Sequence, residues 1–286
     1  MVNNIKVSIV CTAYNHEQFI AQAIDSFLEQ QCDFAYEIII HEDCSTDGTK
    51  AIIEAYEKKH PDIIKPIYQP VNIYSKGEKP WVYCFKKAKG DYIALCDGDD
   101  YWTDPLKLQK QVDVLEQHPQ LNVCFTNRRV LSEGVLSSPP MPKDFIETPF
   151  SYKELLKHHN FIVTASVVFR KPEHFVIPDW FCQLPYGDMG LYKLLSTQDD
   201  FYGIADSTVV YRVHGSGIYS GVGKLTSRKL YYRFYKIIYP YLTREEQIVS
   251  KQKMLELTAE IGRLRFKGQP FKQRLYRIGF KMGLIT

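Results

Sequence analysis

Three acidic side chains within four positions are the strongest chemical feature of the sequence. Asp97, Asp99 and Asp100 follow directly after an apolar segment at residues 91–96. Carboxylates crowded in this way repel one another and lose hydration, so a positive group between them stabilises the arrangement. A hard divalent cation prefers oxygen ligands and can bridge two phosphates. The spacing therefore predicts a site for a hard divalent cation rather than an ordinary turn.

Two further polar segments follow apolar runs in the same way. Residues 12–15 supply backbone groups and small side chains, and residues 42–47 supply more carboxylates. For Ser45, Asp47 and Asp104, capping a helix or closing a turn is as good an interpretation as ligand binding.

The elements that must position these segments alternate between strand and helix. Short β-branched runs predict buried parallel strands, and apolar residues at helical spacing predict the helices between them. The strands are predicted at residues 6–13, 36–40, 64–69 and 91–96, and the helices at residues 16–30, 48–59 and 79–89. This order predicts an α/β fold with a mostly parallel sheet between helices. Ligands bind beyond the carboxyl ends of such strands, which is where the polar segments lie.

The second half of the chain is predicted to complete the sheet and then become helical. A helix is predicted from Pro105 to Leu115, and a proline-rich loop lies near residues 139–149. Further strands are predicted at residues 122–127, 165–170 and 206–214, and two or three helices from residue 226.

Composition favours a reduced, water-soluble protein. The seven cysteines are odd in number and form no CxxC pair, which favours free thiols over disulfides or a structural zinc site. No secretory leader and no uninterrupted apolar stretch of membrane-spanning length is found, so we expect a cytoplasmic location.

Charge divides the chain into an acidic body and a basic tail. Residues 221–286 carry 15 Lys/Arg against 4 Asp/Glu, whereas the rest carries 21 against 29. The tail has two interpretations: a helical cap on the body, or a surface in peripheral contact with anionic lipid at the inner face of the cell membrane. Nucleic acid is not expected as a partner, because the acidic body would repel it.

Three motifs in order resemble the landmarks of family 2 glycosyltransferases. They are SIVCTAYN at residues 8–15, EIIIHEDCSTDGT at 37–49 and GDYIALCDGDDYW at 90–102. The resemblance extends over about residues 6–220 and implies a GT-A fold, which is a Rossmann-like α/β sandwich. It implies a catalytic domain at residues 1–220, followed by a basic helical extension at residues 221–286.

The resemblance also implies which residues bind a nucleotide sugar. The donor site would comprise Thr12, Ala13, Tyr14, Asn15, Glu42, Asp43, Lys76, Asp97 and Gly98. Glu42 stands where the family usually has Asp, and Lys79 is the alternative to Lys76 for neutralising the pyrophosphate.

The metal and the general base are implied in the same way. Asp97-Gly98-Asp99 is similar to the family's Asp-x-Asp motif, with Asp100 as a spare ligand and His214 completing a site for Mn²⁺ or Mg²⁺. Asp188 is similar to the family's general base, which accepts the proton of the attacking hydroxyl. A helix N-cap role for Asp188 is compatible with this.

The function implied is transfer of a hexosyl or N-acetylhexosaminyl group, with inversion, from a nucleoside-diphosphate sugar such as a UDP-sugar. The acceptor would be a glycan or a lipid-linked hydroxyl in surface-polysaccharide or lipopolysaccharide synthesis. Residues 160–170 would shape the acceptor side, and Trp102, Trp180 and Phe181 are candidates for stacking on sugars. Two alternatives are a non-catalytic nucleotide-sugar or glycan-binding protein and a sugar-1-phosphate nucleotidyltransferase. The latter usually begins with a glycine-rich, Arg-containing loop, which residues 12–16 lack.

Overall fold

A nine-stranded sheet organises the chain. The computed structural model describes residues 4–158, 160–198, 200–215 and 222–281, and within them the strand order is β3-β2-β1-β4-β8-β6-β9-β5, with β7 paired to β6. The strands are β1 (Ile5–Ala13), β2 (Ala35–Glu42), β3 (Ile64–Tyr68), β4 (Tyr92–Leu95), β5 (Tyr101–Trp102), β6 (Val123–Ser132), β7 (Val135–Ser137), β8 (Val167–Arg170) and β9 (Phe201–Val213).

Helices cover both faces of this sheet and then continue beyond it. They are α1 (Ile20–Leu28), α2 (Thr49–Lys59), α3 (Pro80–Lys87), α4 (Lys107–Gln117), α5 (Tyr152–Lys157), α6 (Asp179–Gln183), α7 (Asp188–Leu195), α8 (Lys224–Ile238), α9 (Arg244–Arg265) and α10 (Pro270–Lys281). One apolar core lies between the sheet and α1, α2 and α4. The other lies beneath α3 and α5–α9. The predicted α/β sandwich with a helical C-terminal extension is thus confirmed.

The sheet changes character halfway across. Strands β3, β2, β1 and β4 are parallel. Strand β8 then runs antiparallel to both β4 and β6, and β6 and β9 are again parallel. The parallel order expected from the alternation of strands and helices therefore holds up to β4, and the second half is mixed.

A buried polar network aligns the three central strands at the end opposite the acidic loop. The Ser8 hydroxyl donates to Glu37 Oε1 at 2.7 Å, and the Gly90 amide donates to Ser8 Oγ at 2.9 Å. A side chain on Gly90 would stand 2.5 Å from the Ser8 nitrogen, so the close approach requires glycine. The same register brings Ala13 beside Glu42 and Val10 beside Leu95, so the polar segments that follow β1, β2 and β4 emerge together.

The C-terminal helices pack on the body. Phe234, Tyr235 and Ile238 of α8 are at most 2% exposed, and the Tyr235 hydroxyl donates to the Leu156 carbonyl at 3.0 Å. Residues 216–221, which hold the predicted domain boundary, lie outside the described residues. Across the described ranges, no helix has the length and apolar character needed to cross a bilayer.

Candidate active site

A cavity of 780 Å³ opens at the carboxyl ends of β1, β2 and β4. Most of the residues predicted to act on a nucleotide sugar line it. These are Thr12, Ala13, Tyr14, Asp43, Asp97, Asp99 and Asp188. The sequence prediction that donor-binding carboxylates and a base share one cleft is therefore matched by their positions.

Asp97 is half-buried in this cavity and is held by its neighbours. The Thr12 hydroxyl donates to Asp97 Oδ1, and the Gly98 amide donates to the Thr12 carbonyl at 2.9 Å. Burial, reinforced by the negative charge of Asp99, raises the pKa of Asp97 to about 7. Hydrogen bonds from Thr12 and Trp81 oppose that shift in pKa. A cation in the cavity would relieve the unfavourable charge that remains.

Asp99 is paired with two histidines. His214 Nε2 lies 3.0 Å from Asp99 Oδ2, and His16 Nε2 lies 3.8 Å from the same oxygen. Burial lowers the pKa of His16, which favours its neutral form. Neutral imidazole and carboxylate are both ligands for Mn²⁺, whereas Mg²⁺ prefers oxygen.

The predicted metal ligands are thus partly assembled. The side chains of Asp99 and His214 are in contact, and Asp97 lines the same cavity. In the described portion of the chain, no three His, Cys, Asp or Glu side chains already stand as a ligand cluster. The donor set fits a hard or borderline divalent cation chemically, and ligation by all three residues stays a prediction.

Asp100 and Arg212 fix the acidic loop. Asp100 is 2% exposed, and its Oδ1 accepts the Arg212 amide at 2.8 Å. Burial raises the pKa of Asp100 well above the ordinary value of an aspartate. The Arg212 guanidinium donates to the Asp99 carbonyl at 2.6 Å and lies 4.4 Å from the Tyr101 ring centroid. The sequence alone indicates no role for Arg212, although it stands two residues before His214.

Asp43 orders the loop that carries the candidate pyrophosphate lysine. Its two carboxylate oxygens accept the amides of Ile73 and Tyr74 at 2.8 and 3.0 Å. Lys79, farther along this loop, lines the cavity, and burial lowers its pKa. Lys76 is exposed and outside the lining residues. The geometry therefore favours Lys79 of the two lysines.

Glu42, the last residue of β2, and Asn15, in the bend after β1, lie beside the cavity. Glu42 is 1% exposed and its Oε1 accepts the Ser45 amide at 2.6 Å. Asn15, with a φ of 55°, accepts the Thr46 amide at 2.8 Å and borders a neighbouring cavity of 360 Å³. Neither lines the main cavity, and donor binding by these two side chains stays a prediction.

The candidate base Asp188 is the first residue of α7. The Asn160 amide nitrogen donates to Asp188 Oδ2, and the Met189 backbone donates to Oδ1 at 2.7 Å. Burial raises the pKa of Asp188 above that of an ordinary aspartate. A carboxylate with a raised pKa is a better proton acceptor. Asn160 is itself held, because its Oδ1 accepts the Ile162 amide at 3.1 Å.

Two walls of the cavity were not expected from the sequence. Helix α8 contributes Ser227, Leu230 and Tyr231, so the basic extension forms part of the site. Trp81 also lines the cavity: its side chain hydrogen-bonds Asp97, and a side chain on Gly187 would stand 3.1 Å from its ring. The Gly187-Asp188 pair in the sequence indicated the candidate base Asp188, but it did not indicate that the Trp81 ring packs against Gly187.

The hypothesis that three aromatic residues stack on sugars is wrong. Trp102, Trp180 and Phe181 are 3%, 8% and 0% exposed, and their rings pack into the apolar cores. Trp102 lies in strand β5 of the sheet, and Trp180 and Phe181 lie in α6, so all three rings serve packing. Aromatic side chains on the cavity wall are instead Tyr14, Tyr74, Trp81, Tyr186, Tyr211 and Tyr231.

Comparison with known proteins gives a consistent result. An uncharacterised protein of Mycobacterium tuberculosis is 38% identical over 220 residues, which cover 74% of this chain and 60% of that protein. UDP-Glc:alpha-D-GlcNAc-diphosphoundecaprenol beta-1,3-glucosyltransferase WfaP of Escherichia coli is 32% identical over 168 residues, covering 57% of this chain and 61% of WfaP. The chain thus spans about 60% of the length of these relatives.

A solved structure has the same fold. Mannosyltransferase PcManGT from Pyrobaculum calidifontis, in complex with GDP-Man and Mn²⁺, superposes with a TM-score of 0.60 at 14% identity, covering 100% of this chain and 82% of that one. The family model described as glycosyl transferase family 2 matches residues 8–174. Since this match extends over more than half of the sequence, the chain belongs to glycosyl transferase family 2.

Proposed function

We propose that this chain is an inverting, metal-dependent glycosyltransferase. It would transfer a hexosyl or N-acetylhexosaminyl group from a nucleoside-diphosphate sugar to a hydroxyl of a glycan or a lipid-linked acceptor. One observation carries the proposal: the acidic loop after β4 and the half-buried Asp188 face the same 780 Å³ cavity. That pairing would supply a place for a charged leaving group and a proton acceptor in one cavity.

The donor side would hold the diphosphate. Asp97, Asp99 and His214 would ligate Mn²⁺ or Mg²⁺, and Lys79 would add a positive charge nearby. A bound cation would neutralise the charge that develops on the leaving diphosphate. Thr12, Ala13 and Tyr14 would contact the nucleoside, with Asn15, Glu42 and Gly98 supporting that segment.

The acceptor side would perform the displacement. Asp188 takes the proton of the acceptor hydroxyl while the hydroxyl oxygen forms a bond to the anomeric carbon. The bond from that carbon to the diphosphate breaks, and the nucleoside diphosphate leaves with the bonding electrons. Attack opposite the leaving group inverts the anomeric configuration.

The substrate classes follow from relatives rather than from single contacts. WfaP is named for a UDP-Glc donor and a diphosphoundecaprenol-linked acceptor, and PcManGT was solved with GDP-Man. We propose a UDP-sugar as donor and a lipid-linked acceptor in surface-polysaccharide synthesis, at the cytoplasmic face of the membrane. Residues 1–220 would form the catalytic domain, and residues 221–286 a basic extension that completes it.

A thermal-shift screen of nucleoside-diphosphate sugars with and without Mn²⁺ tests the proposal. Ligand at about 100 times its dissociation constant adds about 2.7 kcal/mol to folding stability. We expect stabilisation only when the right sugar nucleotide and Mn²⁺ are both present. The Asp99→Ala variant should lose this joint effect, and Asp62→Ala, which removes an exposed carboxylate, should retain it.

Two results would contradict the proposal. If no donor stabilised the protein in the presence of Mn²⁺, the metal-dependent donor site would be wrong. If a donor bound but no acceptor preparation received sugar, and no donor was hydrolysed, a binding protein would replace the enzyme.

A further inference from the structure

Helix α10 turns its apolar side toward solvent. Phe271, Leu275 and Ile278 are 72%, 50% and 42% exposed. Their spacing places them on one line along a helix, within about one face. In a helix that packs on its own protein, such a line of apolar side chains normally faces inward.

The opposite side of α10 is the one attached to the body. Tyr276 packs against Gly262 of α9, where a side chain would stand 3.2 Å from the Tyr276 ring. The Tyr276 ring centroid lies 5.8 Å from that of Phe266, and the Gln273 amide donates to the Phe266 carbonyl at 2.8 Å. These contacts fix the rotation of α10, so the apolar line is directed outward by the packing.

Basic side chains flank the apolar line. Lys272 and Arg274 are exposed and lie on either side of it, since consecutive helical residues are separated by about 100°. They belong to the basic tail at residues 221–286, which contains 15 Lys/Arg and 4 Asp/Glu. An apolar face bordered by cations matches the interface of a membrane with anionic headgroups.

We infer that α10 lies in the headgroup layer of an anionic membrane, with Phe271, Leu275 and Ile278 inserted toward the acyl chains. A second copy of the chain fits less well, because the flanking cations of two such faces would repel each other. Helix α9 joins α10 to α8, whose residues line the cavity. Contact of α10 with the membrane would therefore hold the acceptor side of the cavity at the surface where a lipid-linked acceptor lies. This role in acceptor delivery rests on the proposed function.

Vesicle co-sedimentation tests the inference without donor or acceptor. The full chain should bind phosphatidylglycerol vesicles, and binding to pure phosphatidylcholine should be at least about tenfold weaker because the charge contribution is lost. The Phe271→Glu/Leu275→Glu double variant should bind phosphatidylglycerol at least about tenfold more weakly, since it removes two inserted apolar side chains. The control Val135→Glu/Val176→Glu adds the same charge at two exposed apolar positions outside the C-terminal helices. Its loss of vesicle binding should be less than half of the loss seen for Phe271→Glu/Leu275→Glu.

A charge-only variant separates the two contributions. Lys272→Gln/Arg274→Gln should weaken binding by about tenfold and reduce its dependence on salt. Unchanged far-UV circular dichroism and unchanged donor thermal shift would show that each variant is folded.

Several outcomes would overturn the inference. These are equal vesicle binding by the full chain and the Phe271→Glu/Leu275→Glu variant, no binding by the full chain, or a dimer in solution that this variant dissociates. If one of these results were found while donor binding still stabilised the protein, the membrane contact of α10 would be rejected and the proposed transferase function would stand.

Discussion

The proposed donor and acceptor sides of the cavity are built in different ways. On the donor side, Thr12 lies at the end of β1, and Asp43 and Asp97 follow the adjacent parallel strands β2 and β4. Backbone hydrogen bonds join these strand ends, and the Thr12 hydroxyl donates to the Asp97 carboxylate beside it. On the acceptor side, Asp188 is oriented by a side chain 28 positions away, and helix α8 adds a wall from beyond residue 222. Sheet register therefore determines the first side, and individual side-chain contacts determine the second. Variants of the two sides should consequently fail in different measurements.

The strongest test of this contrast is Asp188→Asn. Removing a general base costs about 10²- to 10⁴-fold in rate, so we expect transfer to fall by that factor. Donor binding by thermal shift should be unchanged, because the donor side is built separately. Asp179→Asn removes an exposed carboxylate from the start of α6 and serves as the matched control. Normal transfer by Asp188→Asn would show that another group accepts the proton.

The two loop lysines give the next largest effect. Lys79→Ala removes a half-buried cation from the cavity wall and should weaken donor binding by about tenfold or more. Lys76→Ala removes an exposed cation from the same loop and should change donor binding by less than about twofold. Titration of donor in the presence of Mn²⁺ measures both. If Lys76→Ala weakened donor binding more than Lys79→Ala, Lys76 would instead be the residue that neutralises the pyrophosphate.

A smaller effect with a pH signature is expected for Asn160→Ala. Burial raises the pKa of Asp188, and the Asn160 hydrogen bond opposes that rise. Since only the deprotonated carboxylate accepts a proton, activity should fall as pH drops through this raised pKa. The variant should move that fall to higher pH and lower kcat/KM by about tenfold near neutrality. An unshifted pH profile would mean that Asn160 does not act through Asp188.

The smallest effect is expected from Trp102→Phe. The Trp102 indole donates to the Ala165 carbonyl at 2.9 Å within the core, so its loss should cost about 1 kcal/mol of folding stability. The donor KM should stay the same, as measured by transfer assays well below the melting temperature. Trp81→Phe is the counterpart, because it removes a hydrogen bond to Asp97 and should weaken donor binding. A changed donor KM in Trp102→Phe would reopen a role for this ring in the site.

The positions of the candidate donor carboxylates could be predicted from the sequence, because the rule that places them is local. An apolar strand followed by acids places Asp97 and Asp99 at a strand end, and strand ends of a parallel sheet meet. Glu42 shows the limit of this rule, since the side chain folds back onto the Ser45 amide instead of lining the cavity.

Features that depend on distant contacts were missed. Arg212 reaches the Asp99 carbonyl across 113 positions, and no local pattern announces such a bond. The second half of β6, the strand β7 and the early part of β9 also went unpredicted. The residues of β7 are exposed, and the pairing of β6 with β9 shifts register between Thr126 and Arg128, so these segments lack the regular pattern that indicates a strand.

The cavity wall formed by α8 comes from a part of the chain that the family model does not match. The match to the family model ends at residue 174, so Asp188, Arg212 and all of α8 lie outside the segment that the model describes. Two proteins that match this model could therefore share the proposed donor site and differ in the proposed acceptor site. Exchanging tails between such proteins should exchange acceptor preference, and shortening the chain before residue 222 should open the cavity on that side.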